Sequence, residues 1–372
     1  MDVVGFPHQV GGHFGLLTCA GHVCKPLNHR EFAFYSQMDP RLQPFTVKCC
    51  GRIKVTLSMC AEDGTLNMCA DVPECHKQAS TLVIDGQRMT FRIKKCGKVE
   101  AEKATNAWAA QCQSKVVEKL LKGYDKWFIL LEDIVSNFKK PCVVDLKMGQ
   151  RQYGDECSPQ KKLSQAQKCR QSTSAEMGVR MVGMQLYDRN TQQYSFVNKY
   201  EGRRMDKTCF YEVIYKYFSD AGKSRQKVAL QKLYELRDAL SKAEGFRFFS
   251  SSLLIAYDGA DDNEPIVLRM IDFAHSTYNG FLNDNEYTGT DDGYLLGIDS
   301  LITILTNIVS YPNMGPKLLE SPSKRSLKRP HTRIDDEEIE KLLASEENVL
   351  IELEETSEES LECSNVSLIE EF

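Results

Sequence analysis

The residues with most chemical potential stand together in Pro141-Cys142-Val143-Val144-Asp145-Leu146-Lys147-Met148-Gly149, with Arg151 just beyond. Pro141 to Val144 reads as a short buried strand, β-branched and uncharged. Asp145 and Lys147 are two residues apart, and in an extended chain that spacing sends both side chains to one face. Gly149 then permits a turn or the close approach of another group. A carboxylate and an ammonium projecting together suit an anionic substrate held beside a second polar ligand; the plainer alternative is a surface ion pair, common and weak. Further on, Lys161, Gln165 and Lys168 fall on one face at i, i+4 and i+7 of a stretch rich in helix formers and nearly free of apolar residues. Charge alone reads that face as solvated.

Several elements must position these groups. Residues 3–27 read as strand, turn, strand around Gly11-Gly12-His13-Phe14-Gly15. A glycine turn lets backbone N–H groups approach an anion, although such a run is more often a simple hairpin turn. It is neither a P-loop, since no Gly-Lys-Ser/Thr follows, nor the glycine-rich pattern of protein kinases. Lys25 lies near a strand end and Glu31 in the next helix, a layout that pins nucleotide phosphates. Residues 45–100 read as short strands with turns at Gly51, Asp63-Gly64 and Asp85-Gly86. Residues 101–122 carry a core-facing helical stripe through Trp108, Val116 and Leu120. Trp127 to Leu131 is an apolar strand leading into Glu132-Asp133-Ile134. Two strands flank Asp188-Arg189-Asn190. Two helices over 208–243 place Phe210, Ile214, Phe218, Val228, Leu230, Leu233, Leu236 and Leu240 in the core. Phe246 to Tyr257 reads as a strand holding Ser252, with Ile266 to Ile271 its hairpin partner, delivering Asp272. His275 reads as structural. Asp292 sits near the N-cap of a helix through Ile308.

Pro141 to Gly149 resembles, at full spacing, the Pro-x-x-x-Asp-x-Lys-x-Gly signature of the inositol polyphosphate kinase family. Ser251-Ser252-Leu253-Leu254 and Ile271-Asp272-Phe273 are similar to two more landmarks of that family, in the same order. His8 to His13, Lys25-Pro26-Leu27, Gln171 to Ala175 and Gly183-Met184-Gln185 are most similar to inositol hexakisphosphate kinases. The resemblance spans about residues 6 to 310, with a weaker middle between 50 and 125. It implies an α+β, two-lobed kinase-like fold: an antiparallel-sheet N-lobe over residues 1–134, and a mixed C-lobe over 135–312 whose helical segment, about 155–182, binds the inositol phosphate. It implies ATP and Mg2+ as cofactors. Lys25 would touch the nucleotide, the hinge at Glu132 and Ile134 would bind adenine, and Asp145 would hold ribose. Residues alone leave Asp145 open between ribose and metal. Asp272 would hold Mg2+, an ion that needs only one or two carboxylates beside nucleotide phosphates. Lys147 would bridge donor and acceptor, and Lys147, Arg151, Lys161, Lys168, Arg180 and Ser252 would contact the acceptor. Six phosphates carry on the order of ten negative charges, if each contributes ~1.5–2, so several cations on rigid elements suit such a ligand. The expected acceptor is inositol hexakisphosphate, with lower inositol phosphates as alternatives. Rival readings are a hydroxyl-directed kinase of the multikinase or trisphosphate kinase type, and an inert kinase-fold scaffold.

Composition agrees with a polyanionic partner. The net charge is −5, but residues 335–372 hold fifteen acidic residues against Lys341, a balance of −14, so the preceding residues carry about +9 (−5 minus −14). The tail over 313–372 is basic at Lys324-Arg325 and Lys328-Arg329, then acidic. Its composition predicts disorder, a docking segment for an unidentified protein, or a screen for the basic cup. No run approaches 18 uninterrupted apolar residues and no secretory leader is visible, so the expectation is a cytoplasmic or nuclear protein with no membrane span. No specific nucleic acid is expected. The fourteen cysteines contain no Cys-x-x-Cys pair, which predicts reduced thiols rather than disulfides or a metal site. No His-Arg-Asp loop of protein kinases occurs.

Overall fold

A computed structural model describes residues 1–311 apart from residues 13, 73–88, 105, 125 and 264. The expected turn at Asp85-Gly86 and the tail over 313–372 lie outside the described residues.

The N-terminal lobe alternates β1 (Asp2–Gly5), β2 (Leu17–Cys19), β3 (His22–Pro26), α1 (His29–Ser36), β4 (Cys49–Met59), β5 (Thr65–Ala70), β6 (Thr90–Ile93), β7 (Val99–Glu102), α2 (Ala107–Leu121) and β8 (Trp127–Glu132). Its antiparallel sheet runs β1-β2-β3-β8-β4-β5-β6-β7, and β1 pairs again with β5, so the sheet closes on itself. Val116, Val117 and Leu120 of α2 join the core inside with Leu17, Cys24, Ile53, Val55, Phe128 and Leu130. Helix α2 starts six residues later than the apolar stripe suggested. Ala101 and Glu102 complete β7, and the Asn106 side chain caps the helix by accepting from the amides of Trp108 and Ala109. Gly51 is not a turn. It sits inside β4 at φ 115°, where the register against β8 slips, a bulge that only glycine makes cheaply.

The second lobe contains β9 (Pro141–Met148), α3 (Pro159–Arg170), α4 (Ser174–Met177), β10 (Val179–Asp188), β11 (Gln193–Val197), α5 (Lys199–Arg204), α6 (Lys207–Ala221), α7 (Lys223–Ser241), β12 (Ser252–Asp258), β13 (Val267–Ile271) and α8 (Asp292–Ser310). The sheet order is β11-β10-β9-β12-β13, every pair antiparallel. One expected strand is half a strand: Phe246 to Ser251 turns through Ser250 at φ 58° before β12 begins. Val228 points to solvent at 38% exposure, while Leu233, Leu236 and Leu240 enter the core as expected. The N-cap of α8 is Asp291, with Asp292 beside it as expected; the Asp291 carboxylate accepts from the amides of Tyr294 and Phe248. Helix α8 is long and apolar enough to cross a membrane by length and composition. Here Ile298, Leu301, Leu305 and Ile308 are buried in the core shared with α6, α7 and the sheet.

The two-residue period of the strands sorts this lobe into two faces. Cys142, Val144, Leu146 and Met148 of β9 enter the main core with Leu253, Ile255 and Tyr257 of β12 and Leu268 and Met270 of β13. The alternate residues Val143, Asp145 and Lys147 face the N-terminal lobe. Strand β8 is buried on both sides, with Phe128 and Leu130 in one core and Ile129 and Leu131 in the other. That is why Trp127 to Leu131 reads as a continuous apolar run.

Candidate active site

Pairing across the sheet turns the face of β9 into ordered rows. Asp145 lies between Gly183 and Leu254, and Lys147 between Arg180 and Ser252, with Ile271 one strand further and Asp272 following it. Nearer the start of β9, Val143 and Ala256 join Val23, Ile134, Leu254 and Val267 in an apolar cluster drawn from both lobes. The face therefore runs from apolar beside Ile134 to charged beside Asp272. Such a gradient can hold an elongated ligand with one flat apolar end and one anionic end.

At the charged end the lobes meet through ion pairs. Lys25 Nζ donates to Glu31 Oε1 at 2.8 Å and to Asp272 Oδ1 at 2.7 Å. Glu31 also accepts from the amide of Phe273 at 3.1 Å, and it is fully buried. Helix α1 brings it there because the Asn28 side chain caps the helix and Phe34 stacks on Phe273 with centroids 5.0 Å apart. Burial works against the charge on Lys25, but Asp272 and Glu31 outweigh it and hold its pKa above the ordinary lysine value. Asp272 itself has φ 65°, a left-handed conformation rare outside glycine. Burial pushes the Lys147 ammonium below its usual range, with Asp272 and Asp145 opposing.

Asp145 is 3% exposed, and its carboxyl rises to about 6, through burial first and then Asp272, with Lys147 and Arg180 opposing. The buried Ser252 hydroxyl beside it also favours the charged carboxylate. The glycine-rich loop covers this row: a Cβ on Gly11 would stand 1.9 Å from Asp145 Oδ2, and one on Gly183 would stand 1.7 Å from Val10 O. Gln9 shapes that loop by donating to the carbonyls of Gly11 and Phe14 and accepting from Leu16 N. Gln113 pins it by donating to Phe6 O at 2.7 Å. Gln9 falls inside the His8 to His13 stretch of the resemblance, whereas the only sequence signal for Gln113 is a polar residue in an apolar stripe.

Glu132 and Ile134, where the resemblance implies the hinge, line a cavity of about 430 Å³ with His22, Lys48, Phe138 and Val267. The Glu132 amide and carboxylate are both engaged by Lys48 backbone, at 2.9 and 3.1 Å. On α3, Lys161, Gln165 and Lys168 are half-buried, as are Lys162 and Ala166, while Cys169 is the buried residue and Leu163, Ser164, Gln167 and Arg170 are exposed. Cys169 anchors that helix to the chain after β9, its thiol donating to Gln150 O at 2.8 Å. Arg151 is heavily engaged: it pairs with Asp155 at 2.5 Å, donates to Tyr287 Oη, and lies 3.9 Å from the Phe249 ring centroid. His275, read as structural, hydrogen-bonds Glu156.

Two lobes joined at a hinge, with a lysine–glutamate pair meeting a strand-end aspartate beneath a glycine-rich loop, define a kinase-like fold. A family model described as inositol polyphosphate kinase matches residues 128–306. Inositol hexakisphosphate kinase 2 of Homo sapiens is 30% identical over 82% of this chain and 94% of its own length. Inositol hexakisphosphate kinase 3 of Mus musculus is 32% identical over 82% and 94%. A solved structure of the inositol phosphate multikinase of S. cerevisiae, in complex with ADP and Mn2+, aligns with TM-score 0.44 and 24% identity over 50% of this chain and 84% of that one. The chain belongs to the inositol polyphosphate kinase family.

Proposed function

We propose that this protein transfers the γ-phosphoryl group of ATP to a phosphate of inositol hexakisphosphate, forming a diphosphoinositol phosphate. The observation that carries this reading is the gradient along β9, from the apolar layer at Val23, Ile134, Leu254 and Val267 to Lys147, Arg180 and Asp272. A purine base fits the apolar end at the hinge, and triphosphate the charged end. The residues also suit a divalent ion. Asp272 projects at the strand end beside Lys25, and the buried Asp145 carboxylate and Ser252 hydroxyl lie on the same face. Asp272 would hold Mg2+, which when bound neutralises charge on the nucleotide phosphates.

The chain's own groups then divide the work. Lys25, fixed by Glu31, orients the donor phosphates. Asp145 accepts from ribose. Lys147 stands between donor and acceptor and stabilises the equatorial oxygens of the transferring group. Arg151, Lys161, Lys168, Arg180 and Ser252 receive the acceptor on rigid elements. An acceptor phosphate is already anionic, so attack needs no proton removal and catalysis is positioning plus electrostatics. The test is incubation with ATP and Mg2+ and either inositol hexakisphosphate or lower inositol phosphates, followed by a charge-separating gel. The expected product migrates as more anionic than inositol hexakisphosphate. Consumption of only the lower phosphates would reassign the acceptor, and no product from ATP-binding protein would overturn the reading.

A further inference from the structure

A second cluster of ligating atoms assembles where the loop before α3 meets the segment after β13. Glu156, Cys157 and His275 each offer one atom, and these lie within 4.8 Å of one another. His275 Nδ1 is hydrogen-bonded to Glu156 Oε1, and the Cys157 thiol lies 3.8 Å from the same oxygen. Room for the carboxylate depends on Gly154, where a Cβ would stand 2.1 Å from Glu156 Oε2. Cys157 is buried, His275 half-buried and Glu156 exposed, so the trio is walled on the thiol side and open on the other. Two cations act on the cluster through their charge: Arg30, paired with Asp284, on Glu156, and Lys161 on Cys157.

We propose that Glu156, Cys157 and His275 form a zinc site with a fourth position open to water. A thiolate, an imidazole and a carboxylate match the borderline-soft Zn2+ and its three-plus-one coordination. They do not match Mg2+, which demands six hard oxygens and is drawn instead to Asp272 and nucleotide phosphates. On binding, the Cys157 S–H bond breaks, its proton leaves to solvent, and a sulfur–zinc bond forms. The His275 ring gives up its hydrogen bond to Glu156: the Nδ1 proton passes to solvent, Nε2 takes one up, and the freed Nδ1 lone pair binds the metal, leaving the imidazole neutral. Affinity therefore falls in acid, where thiol and imidazole hold protons. The ion ties the chain entering α3 to the segment carrying Asp272, joining two pieces that lie 119 residues apart in sequence. Cysteine spacing could not reveal this site, because it uses one cysteine.

Co2+ titration of the full chain, stripped with EDTA and kept reduced, reads the site without reference to activity. Wild type is expected to bind one equivalent with a thiolate-to-cobalt band in the near ultraviolet and tetrahedral bands in the visible, both erased by Zn2+. Cys157→Ser loses the thiolate band, and Cys157→Ser and His275→Gln each weaken Zn2+ at least about tenfold. Cys50→Ser keeps both signals. Circular dichroism verifies folding; if Cys157→Ser misfolds, the visible bands of His275→Gln decide, and must change. No thiolate band at one equivalent in wild type, or one that survives in folded Cys157→Ser, overturns the proposal.

Discussion

Asp272 and Lys147 sit where a single charge change is expected to be felt in turnover rather than folding. Lys147→Ala and Asp272→Asn should each lower kcat by about 10²–10³ or more, the usual cost of one preorganised electrostatic contact. Thermal unfolding should stay near wild type for Lys147→Ala, since burial already disfavours its charge; normal turnover in either variant would remove the role given to that residue. Asp145 makes a different prediction. Its folded-state pKa of about 6 lies above the unfolded carboxyl's ordinary 3.8, so the folded chain holds the proton more tightly. That contribution is fully present below about pH 4 and is lost as pH rises through 6. Asp145→Asn should therefore gain stability over wild type between pH 4 and pH 7.5, by at most about 3 kcal/mol, while nucleotide affinity falls. Urea midpoints at the two pH values check this, and a pH-independent difference would show that Asp145 is not the titrating group. The pairing of Asp145 with Lys147 was legible from a two-residue spacing. The contact of Lys25 with Asp272 was not, because 247 residues separate them.

At the scale of elements, α1 deserves its position in the first lobe's sequence but not in its core. Phe34, Tyr35 and Met38 pack with Phe248, Phe273 and Phe281 in the core of the C-terminal sheet. Glu31 is thereby carried to the amide of Phe273, so the lysine–glutamate pair is assembled by aromatic packing rather than by a mobile helix. Phe34→Ala should cost about 3–5 kcal/mol, the range for emptying a buried aromatic site. It should also lower kcat, because Phe273 adjoins Asp272. A urea melt and steady-state rates together test this: lost stability with unchanged kcat would separate α1 from the site. The sequence yields a helix at Glu31 after the strand that carries Lys25. It cannot say which lobe those aromatics enter, since one apolar stripe fits either.

Across the whole molecule the question is charge. The residues before 335 carry about +9 while the chain carries −5 (the acidic stretch adds −14), a net basic balance that suits a polyanionic ligand. Lys161 and Lys168, both half-buried on α3, contribute to that balance. Replacing Lys161 and Lys168 together by Ala should raise KM for inositol hexakisphosphate about tenfold or more, leave KM for ATP nearly unchanged, and flatten the salt dependence of kcat/KM. Equal loss toward both substrates would indicate a general weakening of the fold.

The sequence by itself determined the periodicities and the order of the motifs. Alternation in Val143-Val144-Asp145-Leu146-Lys147 already required a two-faced strand, and the helix formers between Pro159 and Gln171 already required a polar helix. Those are local consequences of backbone geometry and side-chain type. Only the tertiary structure decided what each face meets. Antiparallel pairing sets Arg180 and Ser252 on either side of Lys147, the backbone of Gly11 covers Asp145, and Glu156 and Cys157 reach His275. Such juxtapositions depend on register and on close approach between segments far apart in the chain, which no local spacing encodes.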